Sequence, residues 1–311
     1  MSLRLRRRPP PPEFAGEAAL RSGRFAVVSD FQRTSPAELW RERNRDERRL
    51  IVGQIARESP DFLIVLGDLV FSGSSPAHWA EFDVLTAPLR EAGIPILPVL
   101  GNHEYWMSPG RALPAFFARF PHLAGRHWYS VAYGGLGLLF LDSNRRWLAA
   151  ARWEEQLAWY RAELARLDAD HGVRGALVLL HHPPYTNSTV TSDERHVQRY
   201  FVPAFAAAAK TLAMFSGHVH SYERFERSGK TFCVTGGGGG PRVRLATGVR
   251  RRHKDDRFAG PPVRLFHYLL VELSPNGLAI EARGLPKRGK AFEVMERFLL
   301  PWPDAAAAGT G

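Results

Sequence analysis

Five times along this chain an apolar run stops at a short cluster of polar residues able to bind metal or protons. The clusters are Ser29-Asp30-Phe31-Gln32, Gly67-Asp68, Gly101-Asn102-His103-Glu104, His181-His182-Pro183-Pro184 and Gly217-His218-Val219-His220. Short apolar runs bounded by Gly, Pro or Asp read as buried strands. The first three, Arg24–Ser29, Asp61–Leu66 and Ile94–Leu100, alternate with helical spacing over Asp46–Glu58 and from about Pro76 to Ala92. That β-α-β-α-β order predicts a mostly parallel sheet, and in open α/β sheets ligands bind beyond the carboxyl ends of the strands. All three clusters in this part fall at such ends.

The rest of the chain is also rich in strands. His127–Tyr133 and Leu136–Asp142 flank Gly134-Gly135, a hairpin signal. Trp153–Asp168 places Leu157, Tyr160, Leu164 and Leu167 on one helical face. Ala176–Leu180 and Leu212–Ser216 read as buried strands running into the fourth and fifth clusters, with mostly helical Glu194–Ala209 between them. Tyr222–Arg227, Thr231–Thr235, Phe266–Leu273 and Leu278–Gly284 complete the strands, the last pair joined by Ser274-Pro275-Asn276-Gly277. This describes one domain over residues 23–300. It lies between a basic, Pro-rich tail at 1–22 and a flexible tail at 301–311.

Composition narrows the function. No apolar run approaches the roughly 20 residues of a membrane span. Arginines near Met1 are not followed by an apolar segment, so that stretch is not a complete secretory signal. The one cysteine, Cys233, excludes an intrachain disulfide framework and reads as a buried, inert thiol. A reducing cytoplasm fits. The net charge is +11, and residues 1–24 and 241–264 carry +4 and +6 of it. Aromatics do not alternate with these basic residues, so solvated loops are favoured over a nucleic-acid face. In the functional version, Arg250-Arg251-Arg252 borders the active site and draws anionic substrate, with Arg250 a substrate-binding candidate. Nothing in the sequence points to a protein partner.

The clusters supply two Asp, one Asn, one Gln and several His. That set is large enough for two transition-metal ions. Imidazole among oxygen donors suits Mn, Fe or Zn rather than Mg or Ca. In order and local sequence, the five clusters resemble the calcineurin-like metallophosphoesterase superfamily, and the resemblance covers roughly residues 24–285. It implies an α/β, four-layer fold of two stacked mixed β-sheets flanked by helices, with a dimetal site at their joint edge. It implies hydrolysis of a phosphomonoester or phosphodiester through a metal-bridging hydroxide, with a small phosphoester as substrate and two divalent or trivalent ions as cofactors. It assigns Asp30, Asp68 and His220 to one ion, and Asp68, Asn102, His181 and His218 to the other. His103 becomes the group that protonates the leaving alkoxide or stabilises transition-state charge. Glu104 orients a neighbour, and His182 supports a ligand or touches substrate.

Departures from the family pattern are informative. The first motif is usually Asp-x-His, and here Gln32 stands in the His place; either its amide oxygen ligates or water fills the position. Gly217–Arg224 and the run Thr235–Gly240 resemble the purple acid phosphatase branch. That branch carries a metal-binding Tyr where this chain has Phe71, which cannot ligate. Two alternatives stay open. One is a nuclease or cyclic-nucleotide phosphodiesterase that uses the basic loop; the other is a metal-binding scaffold for protein interaction. Phe71 generates the first prediction. The metal-loaded protein will show no tyrosinate-to-metal charge-transfer band in its visible spectrum, and a purple solution would overturn the reading.

Overall fold

A computed structural model describes residues 21–35, 42–123, 125–286, 289 and 291–303. The tail expected at 1–22 therefore lies almost wholly outside the described residues, as does 304–311. The β-α-β-α-β unit is present. β1 (Arg24–Val28), β2 (Leu63–Val65) and β3 (Ile96–Pro98) run parallel in that order, with Ala26 opposite Leu63 and Leu63 opposite Ile96. Between β1 and β2, α1 (Arg45–Glu58) buries Ile51, Val52 and Ile55. The helix expected over Pro76–Ala92 is two, α2 (Pro76–Leu85) and α3 (Ala87–Glu91). Pro88 has no N–H to continue the ladder, and the chain bends at Thr86, whose hydroxyl donates back to Phe82 O.

The remaining elements are α4 (Pro109–Arg119), β4 (Tyr129–Tyr133), β5 (Leu136–Phe140), α5 (Ala150–Ala169), β6 (Gly175–Leu179), α6 (Arg195–Tyr200), α7 (Val202–Ala207), β7 (Thr211–Ser216), β8 (Tyr222–Arg227), β9 (Lys230–Thr235), β10 (Phe266–Ser274), β11 (Gly277–Leu285) and β12 (Glu293–Pro301). They form two mixed six-stranded sheets, β12-β11-β10-β1-β2-β3 and β4-β5-β6-β7-β9-β8. The sheets stack face to face. Alternation along the inner strands shows why those segments read as continuous apolar runs. Leu177 and Leu179 of β6 face the core between the sheets, while Ala176 and Val178 face Trp153, Leu157 and Tyr160 of α5. Both faces are covered, so every residue of β6 is buried. Phe25 and Phe62 of one sheet edge meet Tyr133 of the other at ring-centre distances of 5.9 and 4.8 Å. The Tyr133 hydroxyl donates to Asp61 at 2.6 Å, which spares a buried polar group from going unpaired.

β12 was not foreseen. Its sequence, EVMERFLLP, includes the apolar run Phe298-Leu299-Leu300, but five of its nine residues are exposed and a register shift opposite Ala282/Arg283 breaks the two-residue alternation that marks a half-buried strand. It pairs with β11 from Gly277–Pro301 to Gly284–Glu293. Residues 301–303, expected in a flexible C-terminal tail, belong to the fold instead. Pro301 closes β12, and Trp302 is buried, its indole N–H donating to Ser274 O at 3.1 Å beneath the Arg174 guanidinium. Cys233 is buried in β9, as its apolar context suggested. No helix among the described residues is long and apolar enough to cross a membrane. Trp302→Ala will lower unfolding stability by about 3 kcal/mol, the cost of an unfilled aromatic site. A urea titration with an unchanged midpoint would remove Trp302 from the fold.

Candidate metal centre

The five clusters leave β1, β2, β3, β6 and β7 at their carboxyl ends and meet where the two sheets share an edge. Backbone bonds set the meeting. Asp30 N donates to Gly67 O at 3.1 Å, Gln32 N to Asp68 O at 3.0 Å, and Gly217 N to His181 O at 2.9 Å. Asp30, Asp68 and His218 all have positive φ, at 64°, 53° and 66°. Non-glycine residues rarely adopt this conformation, and it is concentrated here on three of the expected ligands. Two glycines permit the close packing. A Cβ on Gly101 would overlap Asp68 Oδ1, and one on Gly240 would overlap the His220 ring. The glycine run after β9 thus brings backbone against the site.

Two of the expected ligand histidines are oriented through Nδ1. His181 Nδ1–H donates to Leu66 O at 2.8 Å, crossing from one sheet to the other, and His220 Nδ1–H donates to Pro241 O at 2.9 Å. A carbonyl can only accept, so in the neutral ring Nε2 keeps its lone pair. His181 Nε2 lies 3.0 Å from Asn102 Oδ1, 3.3 Å from Asp68 Oδ2 and 3.2 Å from His218 Nδ1. His220 Nε2 lies 3.5 Å from Asp30 Oδ1. The Gln32 amide is best placed with its oxygen 2.9 Å from His220 Nε2, from which it accepts when that ring is protonated, and its nitrogen donating to the carbonyls of Asp30 and Asp68, each at 3.2 Å. Asp30 Oδ1 is buried and has no hydrogen-bond partner among the described residues. Ligand-type atoms of Asp30, Asp68 and His181 lie within 4.8 Å of one another, as do those of His181, His182 and His218.

This is a cluster of lone pairs short of positive charge. Burial lowers the His181 pKa, but Asp68 outweighs it and the ring is pushed up to about 9. Burial, then the His181 charge, pulls His218 down to about 4, and burial beside both rings holds His182 well below the ordinary histidine range. Burial works to raise Asp68, yet His103 and His181 hold it well below the usual carboxylate range. Glu104 behaves as the sequence suggested. It is fully buried and accepts from the N–H groups of Gly101 at 2.8 Å, Asp68 at 2.9 Å and Leu69 at 2.8 Å. It fastens the second cluster to the third rather than facing the cleft. His103 Nδ1–H donates to Phe71 O at 2.6 Å, its ring stacks on Trp106 at 3.7 Å, and its Nε2 lies 3.7 Å from Asp68 Oδ2. His182 Nδ1 meets Ser143 Oγ at 2.8 Å.

Two clefts open on this centre and share Trp106 and His218. One, of about 320 Å³, is walled by Gln32, Arg33, Phe71, His103 and Val190. The other, of about 570 Å³, is walled by Asn102, Arg145, Arg146, Trp147, His182 and His196. Arg250, the substrate-binding candidate from the sequence, lines neither and is exposed. The basic loop contributes Pro241 and Val243 to the wall of the smaller cleft, and its Arg252 and His253 are fastened to the neighbouring 186–193 segment. Arg252 donates to Thr186 O and Ser188 O and pairs with Asp193 at 3.1 Å, while His253 pairs with Asp193 at 2.9 Å. The cleft arginines that sequence reasoning missed follow Asp142-Ser143-Asn144, a sixth polar cluster at a strand end, and that position was the available signal.

A sequence profile described as calcineurin-like phosphoesterase matches residues 23–222. Purple acid phosphatase 22 of Arabidopsis thaliana is 27% identical over 212 residues, covering 65% of this chain and 45% of that protein. The chain thus spans about half the length of the curated relatives it matches. The solved structure of a purple acid phosphatase from yellow lupin (Lupinus luteus) seeds superposes with a TM-score of 0.67 at 18% identity, covering 91% of this chain and 54% of that one. GAP50, the anchor in the inner membrane complex of Plasmodium, superposes with a TM-score of 0.64 at 16% identity, covering 90% and 88%. At these identities the structural matches show the shared fold.

One buried carboxylate beside the centre generates a pH prediction. Glu223, three residues after the fifth cluster, accepts from Asn187 N at 2.7 Å and meets the Thr186 hydroxyl at 2.5 Å, pinning the loop that follows His182. Burial pushes its pKa up to about 7. A carboxyl whose folded pKa exceeds its unfolded value binds its proton more tightly in the folded state. Its contribution is therefore full below the unfolded pKa near 4.5 and is lost as pH rises through about 7. Glu223→Gln, which mimics the protonated acid, will flatten that decline and raise stability at pH 8 by about 3 kcal/mol. Parallel pH–stability curves for the two proteins would refute this.

Proposed function

The chain belongs to the calcineurin-like phosphoesterase family, and from that premise we propose that it is a binuclear metal-dependent phosphoester hydrolase. The observation that carries the reading is the convergence of buried Asp30, Asp68 and His181 with part-buried Asn102, His218 and His220, with Asp30 Oδ1 left without a hydrogen bond among the described residues. Such a donor set fits cations, since its lone pairs face one another and the chain supplies too few protons to separate them. Asp30, Asp68, His220 and the Gln32 oxygen would hold one ion, and Asp68, Asn102, His181 and His218 the other. Mixed imidazole and oxygen donors suit Mn, Fe or Zn. When bound, such ions lower the pKa of water and neutralise charge on phosphoryl oxygens.

The chain's own residues do the rest. Leu66 O and Pro241 O fix the tautomers of His181 and His220, so each ring presents Nε2 as a donor atom. Glu104 holds the backbone that carries Asp68 and Asn102. His103 anchors Nδ1 on Phe71 O and keeps Nε2 on the cleft side beside Asp68, where it delivers a proton to the leaving alkoxide. The small volumes of the clefts favour a small phosphoester over a duplex.

The test is hydrolysis of a generic phosphomonoester and a generic phosphodiester side by side, with Mn²⁺ supplied and a chelated control. Chelator-sensitive turnover is expected, and the rate ratio separates phosphatase from phosphodiesterase. His103→Ala will lower kcat by about 100-fold at unchanged metal content. Asp68→Asn will lower both activity and bound metal. Asp68→Asn with unchanged metal content and function would make the non-catalytic scaffold the better account.

A further inference from the structure

The larger cleft is equipped beyond what a bare phosphate needs. Trp106 and Trp147 are the two tryptophans among the exposed large apolar side chains of the described residues, at 36% and 46% exposure, and both line this cleft. Each is backed by another ring. Trp106 stacks on His103 at 3.7 Å, and Trp147 lies nearly parallel to Tyr105 at 6.0 Å, 12° between planes. Exposed, rigidly backed indoles are surfaces on which planar rings stack.

Beside them stand Arg145 and Arg146. Neither guanidinium has a hydrogen bond or salt bridge among the described residues; Arg145 lies over the Trp153 ring at 5.4 Å. Glu194 faces the same cleft, but His196 holds its carboxylate at 3.0 Å, and Arg146 reaches it only through space. The cleft therefore keeps net positive charge next to a centre already built for a phosphoryl group.

The loop that carries these groups is held from below. Asp142, Ser143 and Asn144 are buried. Asp142 accepts from the Tyr105 hydroxyl and, at 2.8 Å, from Asn144 Nδ2, and His127 Nδ1 lies 3.0 Å away. Asn144 Nδ2 also donates to Leu100 O at 2.9 Å, and Ser143 Oγ meets His182. The arginines and Trp147 thus stand on an anchored backbone, which reduces the ordering cost of binding.

Resting on the hydrolase reading above, we propose that this cleft selects phosphoryl esters or anhydrides whose leaving group carries both a planar ring and a second anionic group. This is the chemistry of a nucleoside diphosphate. For ADP the balanced step is addition of water to the terminal phosphorus and rupture of its bond to the bridging oxygen. That oxygen takes up a proton, and phosphate and AMP are released. AMP as leaving group places its phosphate on Arg145 and Arg146 and its base on the indoles.

The experiment measures kcat/KM of the Mn²⁺-loaded protein on ADP, AMP, pyrophosphate and phenyl phosphate, for the wild type, Arg145→Ala/Arg146→Ala and Trp147→Ala. ADP combines ring and second anion; AMP has the ring alone and pyrophosphate the anion alone. The wild type is expected to prefer ADP over either by about tenfold or more. The double arginine variant is expected to lose about tenfold or more on ADP and to change less than about twofold on AMP and phenyl phosphate. Trp147→Ala is expected to lower ADP and AMP together and spare pyrophosphate. All three side chains are partly or fully exposed, so the variants test recognition rather than folding. Hydrolysis of phenyl phosphate with no preference for ADP, or equal losses on ADP and AMP in the arginine variant, overturns this inference and leaves the hydrolase reading standing. No turnover of any of the four overturns both.

Discussion

A buried excess of lone pairs over protons is the constraint around which this chain is arranged. Asp30 Oδ1, Asp68 Oδ2, Asn102 Oδ1 and the Nε2 atoms of His181 and His220 crowd one sheet edge, and none can satisfy the next without added positive charge. Such a cluster repels itself, so its geometry must be imposed from outside. Backbone carbonyls impose it on the imidazoles, and Glu104 imposes it on two loops through three N–H groups. The bond from His181 to Leu66 O is the most economical of these, because one proton fixes a tautomer and also ties the two sheets together where they part.

Most of the frame was legible because burial on both faces forces continuous apolar runs, and those runs mark β1, β2, β5, β6 and β7 directly. The ligand-type residues were legible for the same reason: each sits where such a run stops. What escaped was structure without a clean hydrophobic periodicity. β12 is an edge strand, stabilised by ladder bonds and by pairs such as Glu281 with Arg297, and its apolar residues are interrupted by Glu296-Arg297 without a two-residue alternation. The break between α2 and α3 turns on one missing N–H. Arg250 was placed at the site on charge alone. Sequence charge does not say which cations are already engaged: Arg252 is spent on three carbonyls and Asp193, so the basic loop docks as structure.

The substitution at Phe71 illustrates how a departure from the family pattern is absorbed. A phenol there would reach toward the centre. The phenyl ring instead packs near His103 and Trp106 at 5.4 and 5.9 Å, and it is the Phe71 carbonyl that acts, by holding His103 Nδ1. An anionic phenolate ligand is replaced by an apolar wall, while the backbone contact that orients His103 needs no particular side chain. The change alters the charge and spectrum expected of a metal centre without dismantling the geometry around it, and it leaves the smaller cleft more apolar than the arginine-lined one.

Fold alone does not decide between a hydrolase and a scaffold, since the same architecture is shared by a purple acid phosphatase and by GAP50, an anchor. Backbone strain is a sharper discriminator. A non-glycine residue held at positive φ costs of the order of 1 kcal/mol or more, and the fold sustains it only where surrounding contacts over-determine the position. Asp30, Asp68 and His218 all carry that cost, side by side, each following a strand that would otherwise run on unstrained. Relaxing any one of them would swing a carboxylate or imidazole out of the cluster and leave the rest of the sheet edge intact. A surface used only for docking would gain stability from that relaxation. The retention of all three strained positions, together with an Asp30 oxygen that has no hydrogen bond among the described residues, is what a site organised to hold cations requires.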